Sequence, residues 1–217
     1  MKFFIDTANL DQIREANELG VLDGVTTNPS LMAKEGIKGE ENIRKHYQEI
    51  CRITNGDVSA EVLSTDYESM IAEGRELSEL HPQIVVKVPC TRDGIRAIKY
   101  FSGEGIRTNC TLVFTSGQAL LAAKAGATYV SPFVGRLDDI ASNGVELVAK
   151  IVEMYSYYGY ATQVLAASIR STQHIIECME AGADVATCPL SSILGLLNHP
   201  LTKKGVQIFC EDAAKMC

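Results

Sequence analysis

Residues 84–89 read IVVKVP, and Lys87 is the only charged residue in that run. Such a run suits a strand buried on both faces in a parallel sheet, and a lysine is seldom fully buried there without a partner. A free lysine amine, with a pKa of ~10.4, is neutral in about one molecule in 2,500 at pH 7. Burial disfavours the ammonium and can bring a lysine pKa down by ~3–5, so a pKa near 7 would raise the neutral fraction roughly a thousandfold. A desolvated lysine at the end of a strand is suited to attack a ketone and form a Schiff base. The iminium is then an electron sink, and a C–C bond two atoms away can break. That chemistry needs no metal and no cofactor, and we expect neither. It does need a base for the β-hydroxyl and a second acid/base for the dehydration. Asp6, in FFIDT, and Glu61, in VSAEV, are the carboxylates we expect to fill those roles.

Groups so far apart in the chain need a scaffold that brings them together. Eight short apolar or β-rich runs recur: residues 3–7, 24–28, 58–62, 84–89, 108–114, 129–134, 163–168 and 185–190. Segments of helical periodicity lie between them. Most of these begin with Asp, Ser, Thr or Asn, and several end in Gly, as helix caps require. Strand alternating with helix through short connections implies parallel strands and right-handed crossovers. Eight units predict an α/β fold, a (β/α)8 TIM barrel in one domain spanning 1–217. An open doubly wound sheet usually carries a Gly-rich phosphate loop after its first strand, and IDTANL has none. Residues 200–217 form an additional C-terminal helix, read either as a lid on the barrel bottom or as a subunit contact.

Residues two apart on a strand share a face. Asp6 shares one with Phe4, Thr26 with Asn28, Ser59 with Glu61 and Val85 with Lys87. Asn109 likewise pairs with Thr111, Ser131 with Phe133 and Ala166 with Ser168. The opposite parity (Ile5, Val25, Ala60, Val86, Cys110, Val130, Val134, Leu165, Ala167) is mostly apolar and is expected to face the helices. The polar set then converges on the C-terminal mouth, where barrel enzymes place their chemistry. A structural ion pair between Lys87 and Glu61 or Asp6 is the plainer explanation of one buried lysine, although such pairs often add little stability. It does not explain eight convergent polar groups. Arg136, in SPFVGR, and Arg170, in AASIR, follow the last strands, where such barrels often bind phosphate. Arginine forks suit phosphate oxygens, and Ser168 adds a hydroxyl. Lys87 and Asp6 could also serve a sugar-phosphate isomerase or epimerase as acid/base partners, and a non-catalytic sugar-phosphate sensor is a third possibility.

Composition narrows the partners. The chain has 217 residues, is 46% hydrophobic and carries a net charge of -7. That balance gives no footing for a nucleic-acid or anionic-membrane partner. The N-terminus MKFFIDTANL resembles neither a signal peptide nor a membrane span. Seven cysteines lack C-x-x-C spacing, so we expect free thiols and a cytoplasmic location.

DGVTTNPSL, IVVKVP, TNCTLVF, SPFVGR and AASIR, in that order, resemble the transaldolase family in its short form, which includes the fructose-6-phosphate aldolases. The resemblance implies a (β/α)8 barrel whose Schiff-base lysine is Lys87 and whose proton-transfer aspartate is Asp6. It implies that Glu61 and Thr111 hold the catalytic water. Thr26, Asn28, Asn109 and Ser131 would surround the dihydroxyacetone unit, with Arg136, Ser168 and Arg170 as the phosphate clamp. Within the family, fructose-6-phosphate aldolases have Gln and Tyr at the positions of Glu61 and Phe133, and transaldolases have Glu and Phe. Phenylalanine cannot donate a proton through a water to the bound enamine, which favours transfer over release. Ile169 stands where long transaldolases commonly have Phe. Short members are homo-oligomers, pentamers stacked into decamers, so the resemblance implies sugar-phosphate substrates and a homo-oligomer reached by the C-terminal helix.

Overall fold

The computed structural model describes residues 1–216. In chain order the elements are β1 (Lys2–Asp6), α1 (Leu10–Glu18), β2 (Gly24–Thr26), α2 (Pro29–Lys34), α3 (Glu40–Ile53), β3 (Asp57–Glu61) and α4 (Tyr67–Glu79). They continue with β4 (Ile84–Pro89), α5 (Arg92–Gly103), β5 (Thr108–Val113), α6 (Ser116–Ala125), β6 (Tyr129–Pro132), α7 (Val134–Asp138) and α8 (Gly144–Tyr158). The last are β7 (Gln163–Ala166), α9 (Thr172–Glu180), β8 (Val185–Cys188), α10 (Leu190–Gly195) and α11 (Pro200–Lys215). The eight strands close in sequence order, each parallel to the next, and β8 returns to β1. The predicted (β/α)8 barrel is therefore the observed one.

Local chemistry sets the helix starts. Asn9, Asp66, Thr91, Thr115, Asn143 and Ser171 each accept a backbone N–H of the first helical turn, which satisfies donors the helix itself leaves open. Gly126 and Gly159 end α6 and α8 in the left-handed conformation. Two short helices, α2 and α7, were not expected from the sequence. Each follows directly on a strand and is too brief to show a helical period.

The apolar core has two layers. Ile5, Val25, Val86, Cys110, Val130, Ala166 and Ala186 belong to the outer one, between strands and helices. Phe4, Val85, Tyr129, Leu165, Ala167 and Val185 form the inner one, inside the barrel. The Phe4 and Tyr129 rings meet edge to face at 5.8 Å, and the Tyr129 hydroxyl donates to Asp57 Oδ2 at 2.8 Å. Gly24 faces this packing, and a Cβ there would lie 2.6 Å from the Phe4 ring and from the Asp57 carbonyl.

Parity holds on most strands but fails on β7. Leu165 and Ala167, expected to face the helices, point into the barrel, whereas Ala166 packs outside. The additional C-terminal helix is present, and none of α11's residues is buried. The barrel floor is filled by Phe4 and Tyr129, not by α11, so the lid reading does not hold. Cys217, the seventh cysteine and the end of the expected helix, lies outside the described residues.

Candidate active site

Lys87 sits on the inner face of β4, paired laterally with Glu61 on β3 and Asn109 on β5. Its side chain is almost wholly enclosed, with Lys87 6% exposed. Nζ lies 3.0 Å from Glu61 Oε2 and donates to the Thr27 carbonyl at 3.0 Å. Val85 below it and Val86 and Val88 on the outer face are fully buried, so the run is buried on both faces, while the groups nearest the amine itself are polar. Glu61 is held at its backbone, where its N–H donates to the Tyr47 hydroxyl at 3.2 Å. Burial is the main cause that pushes the Tyr47 phenol above its ordinary range.

A second cluster lies on β1, β2 and β8. Thr26 Oγ1 donates to Asp6 Oδ1 at 2.7 Å and stands 2.6 Å from Thr187 Oγ1. A third bridges β3, β5 and β6: Asn109 Nδ2 donates to Ser59 Oγ at 3.1 Å, and Ser131 Oγ donates to Asn109 Oδ1 at 2.7 Å. These bonds satisfy both ends of a fully buried amide, as buried polar groups require.

Together they enclose a cavity of about 150 Å³ at the C-terminal mouth. Asp6, Thr26, Asn28, Lys87, Ser131, Phe133, Arg136 and Ser168, all expected at the site, line it, with Ala167 and Thr187. Thr187 was missed by sequence reasoning. Its signal was available, because in VATC it shares the inner face with Val185. Asn28 has a second task, as its Oδ1 caps α2 by accepting the Leu31 N–H at 3.0 Å. Phe133 packs edge to face on Phe114 at 5.6 Å.

Four expected residues stand off the cavity wall. Asn109 lies beneath it as the bridge just described. Thr111 is fully buried beside a register shift in β5, and its hydroxyl has no partner among the described residues. Glu61 is reached from Lys87 and also lines a larger cavity of about 670 Å³, between α2, α3 and α4. Arg170 turns away, with both terminal nitrogens on the Asp139 carboxylate. Ser168 reaches the mouth by a route that parity did not supply: its φ is +58°, so the chain kinks after Ala167 and two successive residues face the cavity. The start of α7 is stitched to this kink, with Val134 N donating to Ala167 O at 2.9 Å and Gly135 N to Ser168 O at 3.1 Å.

A parallel eight-stranded barrel with a carboxylate-paired lysine inside its mouth has the layout of an aldolase-type enzyme. The family described as Transaldolase/Fructose-6-phosphate aldolase matches residues 3–217, and the chain belongs to that family. A protein of Parabacteroides distasonis described as a probable transaldolase is 79% identical over 216 residues, covering 100% of this chain and 99% of the relative. A Bacteroides fragilis protein with the same description is 76% identical over 216 residues, with the same coverage. Among solved structures, a putative fructose-1,6-biphosphate aldolase from Coccidioides immitis superposes with a TM-score of 0.59. At 15% identity, over 87% of this chain and 73% of that one, it supports the barrel fold alone. No helix among the described residues is long and apolar enough to cross a membrane.

Proposed function

We propose that the chain is a transaldolase working through a Schiff base on Lys87. The observation that carries this reading is the Lys87–Glu61 pair at 3.0 Å, on a cavity that Asp6 also lines. Glu61 takes the ammonium proton, and the freed amine attacks the ketone of a bound sugar phosphate. Glu61 then returns that proton as the carbinolamine loses water. The Thr111 hydroxyl, which has no partner among the described residues, is suited to hold that water beside Glu61. Asp6 accepts the β-hydroxyl proton while the C–C bond breaks, and its electrons pass to the iminium to give an enamine. The aldose phosphate departs, a second aldehyde is attacked in reverse order, and hydrolysis frees Lys87. Thr26, Asn28, Asn109 and Ser131 surround the three-carbon unit, and Arg136, Ser168 and Arg170 receive the phosphate.

The donors on this reading are sedoheptulose 7-phosphate and fructose 6-phosphate, and the acceptors are glyceraldehyde 3-phosphate and erythrose 4-phosphate. That is the chemistry of the non-oxidative pentose phosphate pathway. Glu61 and Phe133 favour transfer over aldol release, because Phe133 presents only a ring to the cavity. A cytoplasmic location agrees with the six described cysteines all being free thiols. Leu201, Val206 and Phe209 on α11 are more than half exposed, which fits a helix that reaches another copy in a homo-oligomer, and sedimentation tests this.

Borohydride reduction in the presence of fructose 6-phosphate, followed by mass spectrometry, tests the mechanism. We expect a three-carbon adduct on Lys87. Turnover with no adduct on Lys87 would instead point to proton transfer, as in an isomerase. Free dihydroxyacetone formed as fast as transfer product would identify an aldolase.

A further inference from the structure

Arg136 and Arg170 flank the same cavity mouth but are held differently. Arg136 lines the cavity, whereas Arg170 lies across Gly135, where a Cβ would come within 2.7 Å of its Nε. Both Nη atoms of Arg170 donate to the two oxygens of Asp139. The neighbouring acid is committed elsewhere. Asp138 Oδ1 accepts the Gly144 N–H at 3.1 Å, and its other oxygen lies 3.2 Å from His174 Nε2. His174 Nδ1 in turn accepts the Arg170 backbone N–H at 3.4 Å. The backbone of Arg170 is thus anchored through Asp138 and His174, while its guanidinium is hydrogen-bonded among the described residues by Asp139. The Asp139 carboxyl is held below the usual carboxylate range, first by the hydrogen bond from Arg170 and also by the Arg136 charge.

We propose that Asp139 is a positioning residue that holds the Arg170 guanidinium off the cavity until a phosphate dianion draws it across. This rests on the reading of Arg136, Ser168 and Arg170 as a phosphate clamp. The pair is half-exposed on both sides, so it is weak enough for a ligand to displace. A phosphate dianion, already held by Arg136, offers Arg170 a fork of oxygens with twice the charge of the carboxylate. An unphosphorylated sugar or aldehyde offers no such exchange and leaves the Arg170–Asp139 pair closed. Asp139 therefore lowers the affinity for the phosphorylated ligand by competing with it for Arg170, and leaves the unphosphorylated one untouched.

Inorganic phosphate is the probe, and its dissociation constant is read from the phosphate-dependent rise in Tm. Asp139→Asn removes the competing charge from an exposed site, and we expect phosphate to bind about two- to fivefold more tightly, the range of an exposed ion pair. Asp139→Glu should keep the original affinity, Arg170→Ala should weaken it, and Asp139→Asn placed on Arg170→Ala should gain nothing. In kinetics, Asp139→Asn should lower KM for phosphorylated acceptors and leave unphosphorylated glyceraldehyde unchanged. Unchanged or weaker phosphate binding in Asp139→Asn would overturn the proposal, and so would a gain that persists without Arg170. Phosphate binding indifferent to both Arg136→Ala and Arg170→Ala would remove the clamp reading itself, a different failure.

Discussion

The lower and upper halves of the barrel interior are made by the same strands, yet they are built on opposite principles. In the lower half, Phe4, Val85, Tyr129, Leu165 and Val185 fill the space with apolar surface, and the one polar handle, the Tyr129 hydroxyl, is tied off on Asp57. Two residues further along the same faces stand Asp6, Lys87, Ser131, Ala167 and Thr187, of which all but Ala167 are polar. There the space is enclosed but not filled, and nearly every polar group is bonded to another. The lower layer supplies close packing, whose loss is felt as unfolding. The upper layer supplies positioned donors, acceptors and the Lys87 cation, whose loss is felt as chemistry.

Substitutions that cross this division should separate activity from stability. Lys87→Met should abolish turnover and borohydride trapping while the protein still folds, because Glu61, left alone, also borders the larger cavity where water can hydrate it. Activity assays with circular dichroism check this, and an active Lys87→Met would end the Schiff-base reading. Phe4→Ala in the lower layer should cost about 3–5 kcal/mol of stability in denaturant unfolding, as a large buried ring leaves a cavity. Ser59→Ala tests the upper network from beneath: the buried Asn109 amide loses its acceptor, at about 1–3 kcal/mol. Because Asn109 would then be free to turn, KM should rise as well, which Phe4→Ala should not produce in the fraction that remains folded.

The smallest effect belongs to Tyr129→Phe, at about 1 kcal/mol near neutral pH, since Asp57 keeps Arg107 at 2.6 Å. It has a second signature at high pH. Burial, aided by the Asp57 hydrogen bond, raises the folded Tyr129 phenol well above its ordinary 10. Above about pH 10 the unfolded tyrosine gives up its proton while the folded one keeps it. The unfolded state then binds fewer protons, and stability falls as pH rises. Tyr129→Phe should flatten this alkaline loss, as pH-dependent unfolding would reveal.

Much of this was legible in the sequence, for identifiable reasons. The barrel was, because eight β-rich runs are separated by capped helical segments and a parallel sheet needs both. Lys87 was, because β4 is regular and two-residue alternation therefore holds from Val85 to Lys87. Ser168 was reached for the wrong reason: the left-handed kink resets the alternation, and no pattern of residue types announces a positive φ at a serine. The engagement of Arg170 by Asp139 was invisible because the partners stand 31 residues apart on different connections. Glu61 was legible as a neighbour of Lys87, but its exposure to a second cavity depends on how α2 and α3 leave the barrel. The short α2 and α7 lacked the length to show a period, and α2 is capped by a residue expected only to bind ligand.

The kink at Ser168 also bears on how this chain can be altered. A side chain other than glycine in the left-handed region costs about 1–2 kcal/mol, and glycine would recover part of that while giving some back as freedom of the unfolded chain. Selection for thermal robustness alone would therefore push this position toward glycine and strip a hydroxyl from the cavity wall. Ser168→Gly should be neutral or slightly stabilising in the melt and poorer in catalysis, so a thermostability screen blind to activity would enrich it.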